Sequence, residues 1–169
     1  MTSDWAALRA QLPVDLGRSD GVVVTQEMVD VHAATTGDAQ WIHNDPDRAR
    51  RESPFGAPIV QGFLLMSLFT RLSAQLTFPE FGPLAMLVNY GFERVRFVRA
   101  VPVGAAVWMA ATLAEVRPRD DGAAVLAVDV ELRADTVDGV EDGDGPPVAV
   151  ARWLFLAVPA PTAPTNTNS

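Results

Sequence analysis

The pattern of hydrophobic and polar positions changes its period near residue 83 of the chain. Before that point, apolar residues recur three or four positions apart, the spacing that places them on one face of a helix. After it, apolar and polar residues alternate, as in a strand with one face in the core and the other in solvent. The pattern therefore predicts mainly helices in the first half and an antiparallel sheet in the second.

Four helices and one short strand are predicted before the change of period. They are a helix at residues 4–12 capped by Asp4, a strand at 21–25, a helix from Thr25 to Gly37, a helix that begins at Asp45, and a long helix within 59–78. The long segment is apolar nearly all round, which predicts a helix buried on most of its sides. Residues 38–44 are predicted to form a loop.

The second half of the chain predicts the strands of the sheet. They are two short strands within 84–98, broken near residues 89–91, and single strands at 105–119, 123–137 and 148–158. Residues 138–147 are predicted to be a turn, and the tail at 159–169, rich in Pro, Thr and Asn, to be disordered. An antiparallel sheet that covers a buried helix is an α+β architecture. Residues 1–158 are expected to form one domain.

Composition narrows the classes of function. The chain of 169 residues has 21 acidic and 13 basic residues and a net charge of −8, which argues against nucleic-acid binding and against a basic membrane-binding face. It has no cysteine, so disulfides, thiolate metal sites and Cys nucleophiles are excluded. The N-terminus has no signal-peptide pattern, and the apolar runs are too short to span a membrane. We therefore expect a cytoplasmic protein.

One of the two histidines of the chain, His43, lies five residues after Asp38. In the predicted loop both side chains can turn to one point and hold a water, with the carboxylate as a base and the imidazole as a second proton-handling group. The alternative is structural, because Gly-Asp is a common turn dipeptide and the residues after His43 are typical of a helix cap. A metal site is not indicated, because a single histidine among scattered acids lacks a ligand pattern.

Gly62 and Arg94 are two further candidates. Gly62 interrupts the hydrophobic segment at residues 59–78, where glycine is unfavourable in a helix by about 1 kcal/mol relative to alanine. It would allow a substrate carbonyl to approach the backbone N–H at the start of the helix, or it would allow the helix to pack closely on the sheet. Arg94 lies in an alternating strand segment, where it would contact a phosphate or belong to a solvated strand face.

Several motifs of the chain resemble those of the MaoC-like dehydratases, also called type 2 or (R)-specific enoyl-CoA hydratases. The first is a Gly-Asp followed by four residues and then a His, here TGDAQWIH at residues 36–43. The second is Pro-Ile-Val-His-Gly at the head of the central helix, here PIVQG at 58–62, with Gln61 in place of the His. FVRAVPVG at 97–104 matches a third motif loosely. With NYGFERVRF at 89–97, these residues are similar to the nodulation-protein-N-like branch.

The resemblance, which spans about residues 22–158, implies the hot-dog fold, an antiparallel sheet wrapped around a long central helix. It also implies a hydro-lyase that adds water to trans-2-enoyl thioesters to give (R)-3-hydroxyacyl thioesters, or that catalyses the reverse dehydration. The alternatives are a hot-dog acyl thioesterase and a dehydratase or tailoring enzyme acting on a carrier-protein-bound polyketide or acyl chain. A non-catalytic accessory subunit is a further alternative, but such a subunit would be expected to lose the Asp or the His.

The resemblance assigns roles to individual residues. Asp38 and His43 would bind the attacking water, and the N–H of Gly62 would polarise the thioester carbonyl. Five further residues are expected to contact the substrate: Trp41, Gln61, Thr70, Asn89 and Arg94. No metal ion or organic cofactor would be needed, because the thioester itself acidifies its α-carbon. The protein is expected to be a homodimer that acts on a CoA or acyl-carrier-protein thioester.

Overall fold

An antiparallel sheet forms the framework of the computed structural model, which describes residues 4–135 and 146–161. Its strands are β1 (Val14–Arg18), β2 (Val22–Val23), β3 (Leu84–Phe97), β4 (Ala106–Pro118), β5 (Ala124–Ala134) and β6 (Ala149–Pro159). The order across the sheet is β1-β4-β5-β6-β3, and β2 also pairs with β4. These strands pair antiparallel, which confirms the predicted α+β architecture.

Five helices accompany the sheet in the described part of the chain. They are α1 (Trp5–Arg9), α2 (Gln26–Thr36), α3 (Trp41–Asn44), α4 (Pro46–Glu52) and α5 (Gly62–Ser73). The predicted helix starts are confirmed, because the side chains of Asp4, Thr25 and Asp45 each accept a hydrogen bond from a first-turn N–H of α1, α2 and α4. None of these helices is long and apolar enough to cross a membrane.

Helix α5 packs against one face of the sheet and forms the centre of the core. Its buried residues are Leu64, Leu65, Leu68, Phe69 and Leu72, and they join one hydrophobic cluster with inward-facing residues of β4, β5 and β6. The Phe69 ring lies 5.8 Å from the Trp153 ring of β6, centroid to centroid, and 6.1 Å from the Phe92 ring of β3. Side-chain burial between α5 and the sheet therefore fixes the position of the helix.

Helix α5 lies within the predicted range but is less enclosed than the sequence predicts. It begins at Gly62 and ends at Ser73, and it leaves an exposed stripe made of Phe63, Ser67, Thr70 and Arg71. Phe63 is 68% exposed. The expected burial on most sides is wrong for the single chain, because the sheet covers only one side of the helix and the other side faces solvent.

β3 is one strand of 14 residues and not the two short strands that the sequence predicts. Its register with β6 shifts between Asn89 and Gly91, and Gly91 adopts a φ of 142°. Such a bulge absorbs an extra residue without ending the ladder. The interruption in the hydrophobic pattern therefore marks a bulge and not the end of a strand.

The sequence analysis missed two short elements, β1 and α3. β1 pairs with β4 at one side of the sheet, and α3 is a single turn inside the predicted loop at residues 38–44. Each has too few residues for a hydrophobic period to be visible. Both depend on contacts with distant parts of the chain, which local sequence does not reveal.

Two predicted segments fall largely outside the described residues. They are most of the turn at residues 138–147 and most of the tail at 159–169. Pro159 is the last residue of β6, and the Ala160 N–H donates to the Pro83 carbonyl at 2.9 Å. The domain boundary after residue 158 stays a prediction.

Candidate active site

Helix α3 is docked onto the chain segment that leads into α5. The Ile59 N–H donates to the Ile42 carbonyl at 3.0 Å, and Nδ1 of His43 lies 2.6 Å from the Ile59 carbonyl oxygen. Because a carbonyl only accepts, Nδ1 is the donor, and Nε2 is the ring nitrogen that remains for a second partner. His43 is 6% exposed. It is therefore the buried residue of a one-turn helix, with a fixed ring, and does not lie in the loop that the sequence predicts.

Asp38 follows the end of α2 and is tied to the start of α5. Gly37 closes α2 with a φ of 80°, and its N–H donates to the Ala33 carbonyl at 2.8 Å. The Asp38 carbonyl accepts a hydrogen bond from Nε2 of Gln61 at 3.4 Å. The same nitrogen donates to the Val29 carbonyl of α2 at 3.1 Å. One side chain thus holds the Asp38 backbone and α2 against the residue that precedes α5.

Gln61 occupies a different position from the one predicted. The sequence predicts that it contacts the substrate, but its side chain is 0% exposed, and Nε2 donates to two backbone carbonyls. Its buried Oε1 has no hydrogen-bond partner among the residues that the structure describes. The structure therefore makes Gln61 a support of the site, because it holds Asp38 from within the core.

Gly62 is the first residue of α5. The sequence offers two reasons for a glycine here: close packing of the helix on the sheet, and access of a substrate carbonyl to the backbone N–H. A Cβ built on Gly62 would lie 2.8 Å from two carbons of the Phe97 ring, so close packing of the helix on β3 is confirmed. The N-cap residue of α5, Gln61, makes no side-chain cap hydrogen bond. The helix dipole adds partial positive charge at this end. A backbone donor for a substrate carbonyl at Gly62 stays a prediction.

Phe97 is a site residue that the sequence analysis missed. It ends β3 and is 47% exposed, and its ring lies against Gly62. The sequence contained one signal, since Phe97 opens the stretch at residues 97–104 that resembles a family motif. Nothing local in that stretch relates it to the start of α5, because the strand pairing of the whole sheet brings the two together.

Three predicted substrate contacts lie in α3, α5 and β3. Trp41 of α3 is half-buried, and the Arg48 guanidinium lies 4.4 Å from the centroid of its ring. Thr70 lies on the exposed stripe of α5, two turns beyond Gly62. Asn89 accepts a hydrogen bond at 2.8 Å from the indole N–H of Trp153. The structure therefore places Trp41 in the same one-turn helix as His43 and gives the Asn89 side chain a structural partner.

Arg94 lies on the face of the sheet opposite α5. It is paired in register with Arg152, which is paired with Asp129, and it lines a groove of 720 Å³ across the outer side of the sheet. The groove is mixed in charge, and Arg152 forms an ion pair with Asp129 across 3.8 Å. Nearby, a hydrogen bond from Arg117 lowers the pKa of the Glu93 carboxyl. The structure therefore separates Arg94 from the N-terminus of α5.

No group of three or more His, Cys, Asp and Glu side chains that could hold a metal ion occurs within residues 4–135 and 146–161. The residues that the structure does bring together at the start of α5 are Asp38, His43, Gln61, Gly62 and Phe97. Their functional groups are a carboxyl group, whose backbone is held here, an imidazole fixed through Nδ1, and a helix N-terminus. Such a set can remove a proton and stabilise negative charge on an oxygen.

Comparison with known proteins places the chain in a family. It matches the MaoC like domain over residues 11–135. 3-Hydroxyacyl-thioester dehydratase Z of Mycobacterium tuberculosis is 37% identical over 153 residues, which cover 90% of this chain and 95% of the relative. The chain belongs to the MaoC-like domain family. The resemblance indicated by the two motifs around Asp38 and Gly62 is thereby confirmed.

Further comparisons support the same family and show its fold. Nodulation protein N of Rhizobium meliloti is 34% identical over 155 residues, which cover 92% of this chain and 89% of the relative. A MaoC-like dehydratase structure from Rhodospirillum rubrum has a TM-score of 0.68 at 19% identity, covering 90% and 97% of the two chains. An (R)-hydratase structure from A. caviae has a TM-score of 0.62 at 24% identity, covering 86% and 98%. The predicted hot-dog fold is confirmed.

The hydrogen bond between Asn89 and Trp153 yields a test of the role of Asn89. We expect Asn89→Ala to lower the free energy of unfolding by about 1–3 kcal/mol, because it leaves a part-buried indole N–H without an acceptor. Asn89→Asp keeps an acceptor and serves as the matched control. Denaturant unfolding measures both. An unchanged unfolding free energy for Asn89→Ala would contradict the structural role and return Asn89 to the candidates for substrate contact.

Proposed function

We propose that this protein catalyses the (R)-specific hydration of trans-2-enoyl thioesters and the reverse dehydration of (R)-3-hydroxyacyl thioesters. The observation that supports it most is the fastening of residues 38–43 to the segment that enters α5, through His43 to Ile59 and Gln61 to Asp38. In the proposal, Asp38 and His43 act as an acid–base pair beside the N-terminus of α5, whose N-cap residue makes no side-chain cap hydrogen bond. Membership of the MaoC-like domain family supports the same reaction.

In the proposed mechanism a water molecule donates two hydrogen bonds, one to the Asp38 carboxylate and one to Nε2 of His43. The Nδ1 hydrogen bond to Ile59 holds the ring in the tautomer that this requires. As the oxygen attacks the β-carbon, Asp38 takes the proton of the water and then returns a proton to the α-carbon. The hydration therefore balances without any co-reactant.

Gly62 supplies the third part of the mechanism. Its N–H donates to the thioester carbonyl, and the N-terminus of α5 stabilises the enolate oxygen that forms as the water adds. Removal of one such donor typically lowers turnover by about 10²–10³. We also propose that no metal ion or organic cofactor takes part, because the thioester already acidifies the α-carbon. The acyl group would arrive as a thioester of CoA or of an acyl carrier protein.

Isosteric substitution of the acid–base pair tests the mechanism. Asp38→Asn and His43→Gln should each lower kcat by at least about 10²-fold, because neither replacement can accept a proton from the water. Asp47→Asn is the matched control, since Asp47 is an exposed residue of α4 whose side chain pairs with Arg50. Steady-state kinetics is combined with thermal unfolding. Near-normal turnover of either variant with an unchanged fold would refute the pair.

The stereochemistry of the product tests the reaction class. Hydration of crotonyl-CoA in the presence of a chelator should give predominantly (R)-3-hydroxybutyryl-CoA, since Asp38 and His43 deliver water from one side to a chain held at Gly62. Enantiomer-specific dehydrogenases identify the product. Predominantly (S) product would contradict the proposed geometry, and release of free CoA without hydration would identify a thioesterase. Activity that disappears with the chelator and returns with a divalent ion would contradict the metal-free mechanism.

We propose that the protein is a homodimer joined through β3. β3 lies at one end of the strand order and pairs with β6 on one side. Ahead of Phe97 it carries four large exposed apolar side chains: Met86, Leu87, Val88 and Tyr90. A long apolar edge strand invites pairing with another chain, and a two-fold axis would cover the same edge on both copies. The exposed stripe of α5 lies on the side that the sheet does not cover.

Disruption of the β3 edge tests the dimer. We expect sedimentation to give twice the chain mass of 18.1 kDa, and Val88→Lys to shift the protein toward the monomer, because it places a charge in an apolar interface. Val31→Lys is the control, since Val31 is an exposed apolar residue of α2. A wild-type monomer at micromolar concentration, or an equal effect of both variants, would contradict the β3 interface.

A further inference from the structure

The Phe97 ring borders the position proposed for the thioester carbonyl. Two ring carbons lie 2.8 Å, and a third lies 3.0 Å, from where a Cβ of Gly62 would be. Because a carbon–carbon bond of the chain is about 1.5 Å long, the ring is in van der Waals contact with the Gly62 Cα. A carbonyl that accepts from the Gly62 N–H lies about 2.9 Å from that nitrogen. The ring and the thioester are therefore neighbours at this helix end.

The backbone holds Phe97 in this place. Phe97 is in register with Ala149 of β6. The next two backbone N–H groups, of Val98 and Arg99, both donate to the Val148 carbonyl, at 2.8 and 3.2 Å. The end of β3 is thus fixed on β6, and the ring is 47% exposed. Part of it stays open to a bound molecule while its backbone is restrained from retreating.

Asp38 and His43 reach the start of α5 through other elements than Phe97 does. The Asp38 backbone is held by Gln61, whose side chain reaches α2, whereas Phe97 belongs to β3. We take an enoyl group bound at Gly62 to lie between the pair and the ring. One face of its double bond would be turned toward Asp38 and His43, and the opposite face toward Phe97.

This arrangement has a consequence for substituents on the α-carbon. In the planar enoyl group such a substituent lies in the plane of the double bond. When water and the proton both add from the side of Asp38 and His43, the α-carbon becomes tetrahedral, and its substituent moves toward the opposite face. In an unbranched substrate the displaced atom is hydrogen. In an α-methyl substrate a methyl group is displaced toward the Phe97 ring.

We propose that Phe97 is a specificity-determining residue that excludes thioesters with a substituent on the α-carbon. The Phe97 ring obstructs a substituted α-carbon in its tetrahedral form and tolerates the planar enoyl group. The proposal rests on the proposed function, since it takes the carbonyl to bind at Gly62 and the water to come from Asp38 and His43. The addition itself is unchanged, with water supplying both the hydroxyl and the proton.

Paired substrates test the proposal. Crotonyl-CoA is compared with its α-methyl homologue, tigloyl-CoA, on the wild type, on Phe97→Ala and Phe97→Leu, and on Val98→Ala as the control for an exposed apolar neighbour. The wild type should prefer crotonyl-CoA in kcat/KM by about 10–200-fold, the usual effect of one extra methyl group in a close pocket. The loss should lie in kcat, with tigloyl-CoA still competing for binding. Phe97→Ala should largely abolish the preference, and Val98→Ala should retain it.

Binding of saturated thioesters separates this proposal from the reaction. Butyryl-CoA and 2-methylbutyryl-CoA have tetrahedral α-carbons and are not hydrated. By calorimetry the wild type should bind the branched compound at least about 10-fold more weakly, and Phe97→Ala should bind both alike. If the wild type binds the branched compound more weakly but does not hydrate crotonyl-CoA, the proposed function is overturned, while the role of Phe97 in excluding branched thioesters is supported. Equal binding by the wild type, or a preference unchanged in folded Phe97→Ala, would overturn the role of Phe97.

Discussion

The proposed site depends on a few hydrogen bonds that fasten residues 38–43 to the segment entering α5. The His43 ring bonds to the Ile59 carbonyl at 2.6 Å, and the Gln61 amide donates to the Asp38 carbonyl at 3.4 Å. The core fixes α5 against the sheet. Asp38 and His43 are hydrogen-bonded to the segment that enters α5, so their positions are fixed as well. A catalytic geometry needs such support, because small displacements of reacting groups cost large factors in rate.

Gln61 provides this support from inside the core. Its side chain is fully buried, and Nε2 donates two hydrogen bonds, to the carbonyls of Val29 and Asp38. These hydrogen bonds join α2, the proposed base and the first turn of α5 in one connected unit.

Apolar surface is unevenly distributed over the single chain. One face of the sheet and the inner side of α5 form a closed core, but β3 and the outer stripe of α5 expose large apolar side chains, Phe63 and Tyr90 among them. Phe97 is one of the exposed side chains of β3, and it also contacts Gly62 at the start of α5. The edge that we propose to form the dimer therefore adjoins the start of α5. A change at this edge affects the surroundings of the proposed site.

The sequence by itself determined the class of fold, the order of the main elements and the Asp38, His43 and Gly62 candidates. Hydrophobic period, helix caps and paired motifs are local signals that can be recognised in the sequence without knowledge of the fold. Tertiary structure alone decided that His43 is buried in a one-turn helix, that Gln61 supports Asp38 from the core, and that Arg94 lies on the sheet face away from α5. It also decided that Phe97 meets Gly62. Contacts between residues distant in sequence follow from strand register and helix packing, which no single segment encodes.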